Sequence, residues 1–483
     1  MGGVILSSVI IEKLAPARGT PDQRVCKIRL RARRDIIMPA LSRRPPGPPG
    51  RFLIGNLPLF NADPLAIYTR WAREFGDIFY YRAAWMDVYF LNHPSLIESV
   101  LVSQSQNFAK DKVIRNSRWF LGEGLLTSEG SGWLRQRRLC QPAFHRERMS
   151  SYGRTMSGYT EEMLTTWENA EVRDIHQEMM QLTMRIVAKV LFSVEVKEDT
   201  ERVAGALNVL LRHTSGGRMI LPPIMRHVPV PAMIRVKRAV RELDEIVNRI
   251  IRRRRASRQD TGDLLSMLMA ARDEDGSGMT DRQLRDEVLT FLLAGHETTA
   301  VSLSWTWYLL SQHPEVDEKL RQELSQVLGG CTPQLEDLAR LPYTDKVVKE
   351  SMRLYPPAWS LARTAAKDIE LGGYQLPVGS NVVMSPWILH RDPRFFDRPE
   401  EFNPERWTVD AAQHLPKFAY FPFGGGPRLC IGAAFAMMEA NLLLAAIAQR
   451  FQLRLVPGHA VAALPSITLR PRHGMRMSLT RCS

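Results

Sequence analysis

The chain has 483 residues, 45% of them hydrophobic and 24% charged, which is the make-up of a globular protein with one large core or two to three ordinary domains. Its five cysteines (Cys26, Cys140, Cys331, Cys430 and Cys482) are scattered and never spaced as CxxC. That excludes a disulfide framework or thiolate zinc cluster and suits a reducing cytoplasm. The net charge of +14 would suit nucleic acid, an anionic membrane or an acidic protein, but no nucleic-acid motif accompanies the basic blocks.

At the N-terminus, "VILSSVII" (Val4–Ile11) is far shorter than the roughly 20 apolar residues a bilayer span needs. No small-residue cleavage site follows it, so a soluble, cytoplasmic protein without a transmembrane segment is expected. Residues 1–44 read as a basic extension, disordered or lying partly before a natural start at Met38. One large domain is expected over 45–483. "RRPPGPPGRFLIGNLP" is a stiff entry segment. "DPLAIYTRWAREFG" predicts a helix opened by Asp63-Pro64 and closed by Gly76, and "DIFYYRAAWMDVYFLN" predicts two short strands. From about Gly130 to Ser325 the pattern is helical, broken at His213–Ala232, with Arg252–Arg255 as the solvated end of an amphipathic helix. Thr280 and Gln283 form a capping box that opens the longest helix, which runs to about Leu310. Short strands follow over Ala358–Pro386, and a last helix begins after Cys430. The fold class is mainly α with small β-sheets.

Four stretches carry chemistry. In "FPFGGGPRLCIG", a lone Cys430 sits at the mouth of a helix behind three glycines. A thiolate that binds iron gains there from the helix dipole, and glycines let the backbone press on a flat macrocycle. The bland reading is a small buried hydrophobe, and a phosphate loop fails because no Lys-Ser/Thr follows. In "AGHETT", Glu297 and Thr298 lie mid-helix, where Thr298 can bond back to the preceding turn and Gly295 weakens it. This could form an oxygen and proton groove; a satisfied polar kink with His296 at the surface is the plain alternative. In "KESMRLYPP", Glu350 and Arg353 share a helix face and, joined by Arg406, form a structural clamp if buried. In "GSGWLRQRRL", Trp133 and Arg137 lie one turn apart. Arg137, Arg363 and Arg428 are candidates to neutralise two buried carboxylates, while Arg135 and Arg138 read as solvent-facing.

Together, in this order, the four stretches resemble the cytochrome P-450 superfamily of haem-thiolate monooxygenases from about Pro45 to the end. Phe423, Gly426, Arg428, Cys430 and Gly432 fit the cysteine pattern, and Ala294, Gly295, Glu297, Thr298 and Thr299 fit the oxygen-helix pattern. Glu350 with Arg353, Pro404-Glu405-Arg406 (with Trp407 for the usual Phe) and Trp133 with Arg137 supply the rest. The resemblance implies a single domain with haem between the long central helix and the cysteine-loop helix. The haem b would be non-covalent apart from the bond to Cys430, since Ala294 is not the glutamate that some relatives use for attachment. Phe423, Gly424 and Ala294 would touch the haem, Trp133, Arg137, Arg363 and Arg428 would hold its propionates, and Glu297 with Thr298 would manage protons.

The implied reaction inserts one oxygen atom from O2 into a lipophilic substrate, a fatty acid or terpenoid. The implied pocket walls are Phe120, Leu126, Thr290, Leu293, Ala294, Trp359, Ser360 and Leu361. Gly216–Pro231 would form a mobile lid. Because no flavin or iron–sulfur domain accompanies the haem loop, electrons are expected from a separate ferredoxin or flavodoxin docking on "RQRRL" of a monomeric enzyme. Two other classes are a haem-thiolate isomerase or dehydratase and a non-catalytic haem-binding or gas-sensing protein. Retention of Glu297 and Thr298 weighs against both.

Overall fold

The computed structural model describes residues 44–482, leaving aside 194–201, 204, 208, 211–229, 258–259 and 273–275. The N-terminal extension, the Met38 start and most of the lid stretch lie outside the described residues. Everything described belongs to one compact unit, Ser42–Ser483.

Local signals set most element boundaries. The Asp63 side chain accepts the Ala66 N–H, Pro64 opens the helix Pro64–Phe75, and Gly76 closes it at φ 82°. Two strands follow, β1 (Ile78–Ala83) and β2 (Met86–Leu91), then β3 (Phe108–Lys110). The short β4 (Val172–Asp174) interrupts the helical stretch. Later come β5 (Leu361–Ala365), β6 (Ile369–Leu371), β7 (Tyr374–Leu376) and β8 (Asn381–Met384). The chain ends in β9 (Phe451–Leu455), β10 (Ala463–Pro465), β11 (Leu469–Pro471) and β12 (Arg476–Arg481). The main sheet has order β1-β2-β8-β5-β3, with β2 and β8 parallel and its other pairs antiparallel. Early strands therefore pair with late ones.

The central helix, Asp281–Gln312, is 32 residues long and opens with the reciprocal Thr280–Gln283 capping box. It packs against Ile175–Phe192 on one flank and against Pro342–Leu354 and Ala433–Arg450 on others. Three helices around one buried rod explain why it is apolar on nearly all sides.

Three expectations change. The helix after the break starts at Pro231, and Arg254 at its end is not solvated: it bonds Asp263 (2.7 Å) and the Phe192 carbonyl (2.9 Å). Gly295 does not break the central helix; an added Cβ there would meet Val187 at 2.9 Å, so the glycine serves the close approach of Ile175–Phe192. His296 is buried rather than at the surface, its Nδ1 bonded to the Leu292 carbonyl at 2.6 Å.

Candidate active site

Between Asp286 and Trp307 every residue of the central helix is buried except Ala294, Gly295 and Thr298. An accessible notch in an otherwise enclosed helix is a cavity wall. Thr298 Oγ1 donates to the Ala294 carbonyl at 2.8 Å, which spends its proton on the helix and leaves its lone pairs for whatever enters the notch.

Cys430 lies on a loop closed by its own N–H, which donates to the Phe423 carbonyl at 3.1 Å. The loop precedes the helix Ala433–Arg450, for which Gly432 is the N-cap. The thiol is enclosed by protein yet accessible, so it faces a cleft rather than a wall. Burial pushes its pKa up, while the Gly432 N–H and Arg137 pull it down. A coordinated metal ion would complete the deprotonation. Phe144 ties the two halves together: its ring lies 5.7 Å from Phe291 of the central helix and 6.2 Å from Phe435 of the cysteine-side helix.

Two of the glycines behind Cys430 are required by the packing of the protein itself. A Cβ at Gly425 would meet the Phe418 ring at 2.1 Å, and one at Gly426 (φ 65°) would meet the Leu101 carbonyl at 1.8 Å. The fold itself demands these two; Gly432 has ordinary space, its nearest neighbour Phe144 at 3.7 Å.

Beside this loop is a concentration of positive charge. Lys110 and Arg363 are directly opposed across β3 and β5, an arrangement that costs free energy for like charges. Arg428 bonds Glu129 and lies over the Trp133 ring at 4.5 Å, but its Nη1 is buried with no hydrogen-bond partner among the described residues. Burial and then the Arg428 charge bring Lys110 down to about 7, and the same two causes lower Arg363. Glu129 also accepts the Lys110 N–H (2.5 Å), and nearby Asp111 is spent on the N–H groups of Val113 and Ile114. Three cations with an orphaned donor and too little negative charge suit a group carrying two carboxylates. A haem with its propionates has that charge, and Cys430 would supply a soft sulfur donor to its iron, so the residues present fit the group.

The other site candidates divide. Arg137 donates to the Leu429 carbonyl at 2.8 Å, and its charge acts on the Cys430 thiol. Glu297 is 1% exposed, and its Oε1 accepts from Thr468 and Arg470, each at 2.5 Å. Among the pocket candidates, Leu293 and Thr290 are buried on the central helix, and Thr290 bonds the Asp286 carbonyl. Phe120 is buried and Leu126 half-buried on the facing segment. Ser360 and Leu361 are half-buried, and Leu361 borders Gly424. Trp359 is half-buried; its indole donates to the Ser466 carbonyl (2.8 Å) and packs with Tyr68.

Glu350 and Arg353 are fully buried and doubly bonded at 2.9 Å. Arg406 (3.2 Å), Trp407 (3.0 Å) and the Asn403 N–H (3.0 Å) also bond Glu350.

Sequence reasoning missed Lys110, Glu129, Thr468, Arg470 and Glu287. Glu287 is buried on the central helix, accepts the Leu125 N–H at 3.0 Å and is raised to about 7 by burial. Lys110 Nζ donates to the Leu125 carbonyl at 2.6 Å, so two buried side chains hold the peptides on either side of Leu125, next to Leu126. A separate cavity of about 1020 Å³, lined by Phe60, Trp305, Tyr355 and Trp387, contains none of these residues.

The cytochrome P-450 family pattern matches residues 45–473. Cyclooctatin synthase of Streptomyces melanosporofaciens is 39% identical over 87% of this chain and 92% of that protein. Pentalenene oxygenase of Streptomyces avermitilis is 35% identical over 84% and 90%. Retinoic acid bound cyanobacterial CYP120A1 superposes with a TM-score of 0.82 at 28% identity, covering 91% of this chain and 100% of that one. Among the described residues no helix is long and apolar enough to cross a membrane. With an enclosed thiol, a notched central helix and a cationic cradle in one fold, the chain belongs to the cytochrome P-450 family: it is a haem-thiolate monooxygenase that uses haem b, O2, a small-molecule substrate and electrons from a redox partner.

Proposed function

We propose that this cytochrome P-450 hydroxylates a terpenoid or similarly lipophilic compound, with Cys430 as the iron ligand and Lys110, Arg363 and Arg428 balancing the propionates. The observation that carries the reading is the pairing of accessible Ala294, Thr298 and Cys430 with a buried cluster of excess positive charge. When bound through Cys430, haem supplies dioxygen activation. The chain's own residues orient substrate and manage protons.

Apolar Phe120, Leu126, Leu293 and Ala294 line the approach and exclude water. Thr298 Oγ1, its proton held by the Ala294 carbonyl, accepts a hydrogen bond from the cleft. Glu297 is held by Arg470 and Thr468, so a proton reaches Thr298 only when that carboxylate turns from Arg470 or receives it from solvent past Thr468. Arg470 and Thr468 are therefore positioning residues.

A terpenoid fits the names of relatives: pentalenene oxygenase, and a second Streptomyces melanosporofaciens protein called cyclooctat-9-en-7-ol 5-monooxygenase. The redox partner, an acidic ferredoxin or flavodoxin, docks on the cysteine side. There Leu134 and Leu429 are exposed beside Arg138, and Arg137 braces Leu429. The enzyme works as a cytoplasmic monomer.

The test is a spectral-shift screen of the haem-loaded protein with terpene hydrocarbons and alcohols, then product analysis with surrogate redox proteins. A spin-state shift with a hydroxylated product is expected. Turnover without reductant, or no shift with any terpenoid, overturns the reading. In the same assay Thr298→Ala should release several-fold more peroxide per product, and unchanged coupling removes Thr298 from its role.

A further inference from the structure

Near the start of the central helix three consecutive charged residues, Arg285, Asp286 and Glu287, are turned largely into the protein rather than to water. A helix carries charge inward only where something answers it. Here the backbone of the wall segment Phe120–Leu126 answers. Arg285 Nη2 donates to the Phe120 carbonyl at 2.9 Å. Asp286 Oδ2 accepts the Glu123 N–H at 2.8 Å, and Glu287 accepts the Leu125 N–H at 3.0 Å.

The segment is built to lie directly on the helix. It leaves the short helix Arg118–Leu121 at Gly122 (φ 73°), where a Cβ would meet the Asp286 carboxylate at 2.0 Å. A Cβ at Gly124 would meet Thr290 Oγ1 at 2.3 Å. The two glycines thus remove the side chains that would hold the backbone off the helix. Arg285 also reaches beyond the segment. Its Nη1 donates to Asp286 at 2.8 Å, and its Nε donates at 2.7 Å to Asp244, half-buried on the helix Pro231–Ser257. One guanidinium therefore joins the wall segment, the central helix and a third helix.

We propose that Arg285 is a positioning residue that sets substrate specificity: through the Phe120 carbonyl and the Asp244 pair it fixes how far the Phe120–Leu126 wall yields, and so how large a molecule the haem cleft admits. The inference rests on the reading that Phe120 and Leu126 line that cleft. A guanidinium offers its donors in a rigid planar fork, so one carbonyl and two carboxylates are all held only while the wall stands in one place. A bulky ligand that needs the wall to move back must break bonds to a charged group, whereas a small ligand need not. Among the described residues Arg285 bonds neither Thr298 nor Cys430, so it acts through Phe120.

The test uses full-length, haem-loaded protein and two azoles that ligate haem iron through nitrogen, small imidazole and bulky triaryl clotrimazole. Their Soret shifts, followed by stopped flow, read the cleft whatever the natural substrate is. Arg285→Gln and Asp244→Asn should each speed clotrimazole binding several-fold and leave imidazole unchanged. Arg285→Lys, which keeps the charge and loses the fork, should fall between them and the parent. Rising salt should speed clotrimazole in the parent and not in Asp244→Asn, a response that a merely structural pin would not give. Because Asp244 is half-buried, Asp244→Asn should keep the parent's melting temperature, so the proposal stays testable if Arg285→Gln fails to fold. Phe120→Ala should admit clotrimazole at least as fast. Equal acceleration of both azoles, or of neither, by the Arg285 and Asp244 variants overturns the proposal. If Phe120→Ala also changes nothing, the wall assignment falls and the role of Arg285 with it; if Phe120→Ala alone speeds clotrimazole, only the role of Arg285 falls.

Discussion

The Glu350 clamp and the Lys110 cradle both gather buried charge around arginines, and they resolve it in opposite ways. In the clamp, Glu350 receives bonds from Arg353, Arg406, Trp407 and the Asn403 backbone, and Arg353 spends its remaining donors on the carbonyls of His390, Pro399 and Glu401. In the cradle, Lys110 and Arg363 oppose each other and Arg428 keeps a buried nitrogen with no hydrogen-bond partner among the described residues. Satisfied charge is architecture; unsatisfied buried charge marks the place of a ligand. Both regions are rich in conspicuous residues, so residue type alone does not separate them.

The comparison breaks most sharply at the thiol. Cys430→Ala should abolish the red-shifted carbonyl Soret band of the reduced protein, while the fold, held by the clamp, survives by circular dichroism. A persisting band would mean that another residue holds the iron. Next in size, Glu350→Ala should cost about 3–5 kcal/mol in denaturant unfolding, because it strands Arg353 and Arg406 in the interior. A loss below about 1 kcal/mol would show the clamp to be as dispensable as a surface pair.

Arg428→Gln should do the reverse of the clamp substitution. Stability of the haem-free protein should stay level or rise as repulsion on Lys110 and Arg363 is relieved, while haem retention falls several-fold. The Lys110 amine should titrate higher than in the parent. If haem-free stability falls as far as in Glu350→Ala, the two regions are alike and the distinction fails.

The last prediction concerns Glu439, fully buried on the cysteine-side helix with both carboxyl oxygens lacking a hydrogen-bond partner among the described residues. Burial raises it to about 8; the Thr299 hydroxyl is near enough to offset this slightly without reaching bonding geometry. The folded protein thus keeps a proton that the unfolded chain releases near 4.5. Its contribution is fully present below that pH and is lost as pH rises towards about 8, with a limiting slope of ~1.4 kcal/mol per pH unit. Glu439→Gln should flatten the decline in melting temperature over that window, and an unchanged slope would assign the decline to Glu287.

How much of this was legible depends on sequence distance. Elements written in contiguous residues could be read directly: the Asp63-Pro64 helix start, the Thr280–Gln283 box, and Glu350 with Arg353 three positions on. The loop of Cys430 was visible as a motif, yet the packing demand on Gly425 and Gly426 was not, because Phe418 and Leu101 press on them from elsewhere in the fold. Lys110 carried no local signal; it matters only because β3 meets β5. Arg470 and Thr468 were hidden for the same reason, and so was the bond of the Trp359 indole to Ser466, 107 positions further on.

That meeting of β3 and β5 also orders events in time. The sheet β1-β2-β8-β5-β3 joins residues 78–110 to residues 361–384, with no intermediate strand to hold the early ones in place. A nascent chain on the ribosome makes Lys110 long before its cross-strand neighbour Arg363, and Cys430 later still. Ligation through Cys430 must therefore wait until most of the chain is made, and the half-made protein carries an unpaired strand edge for most of its translation, a natural client for chaperones.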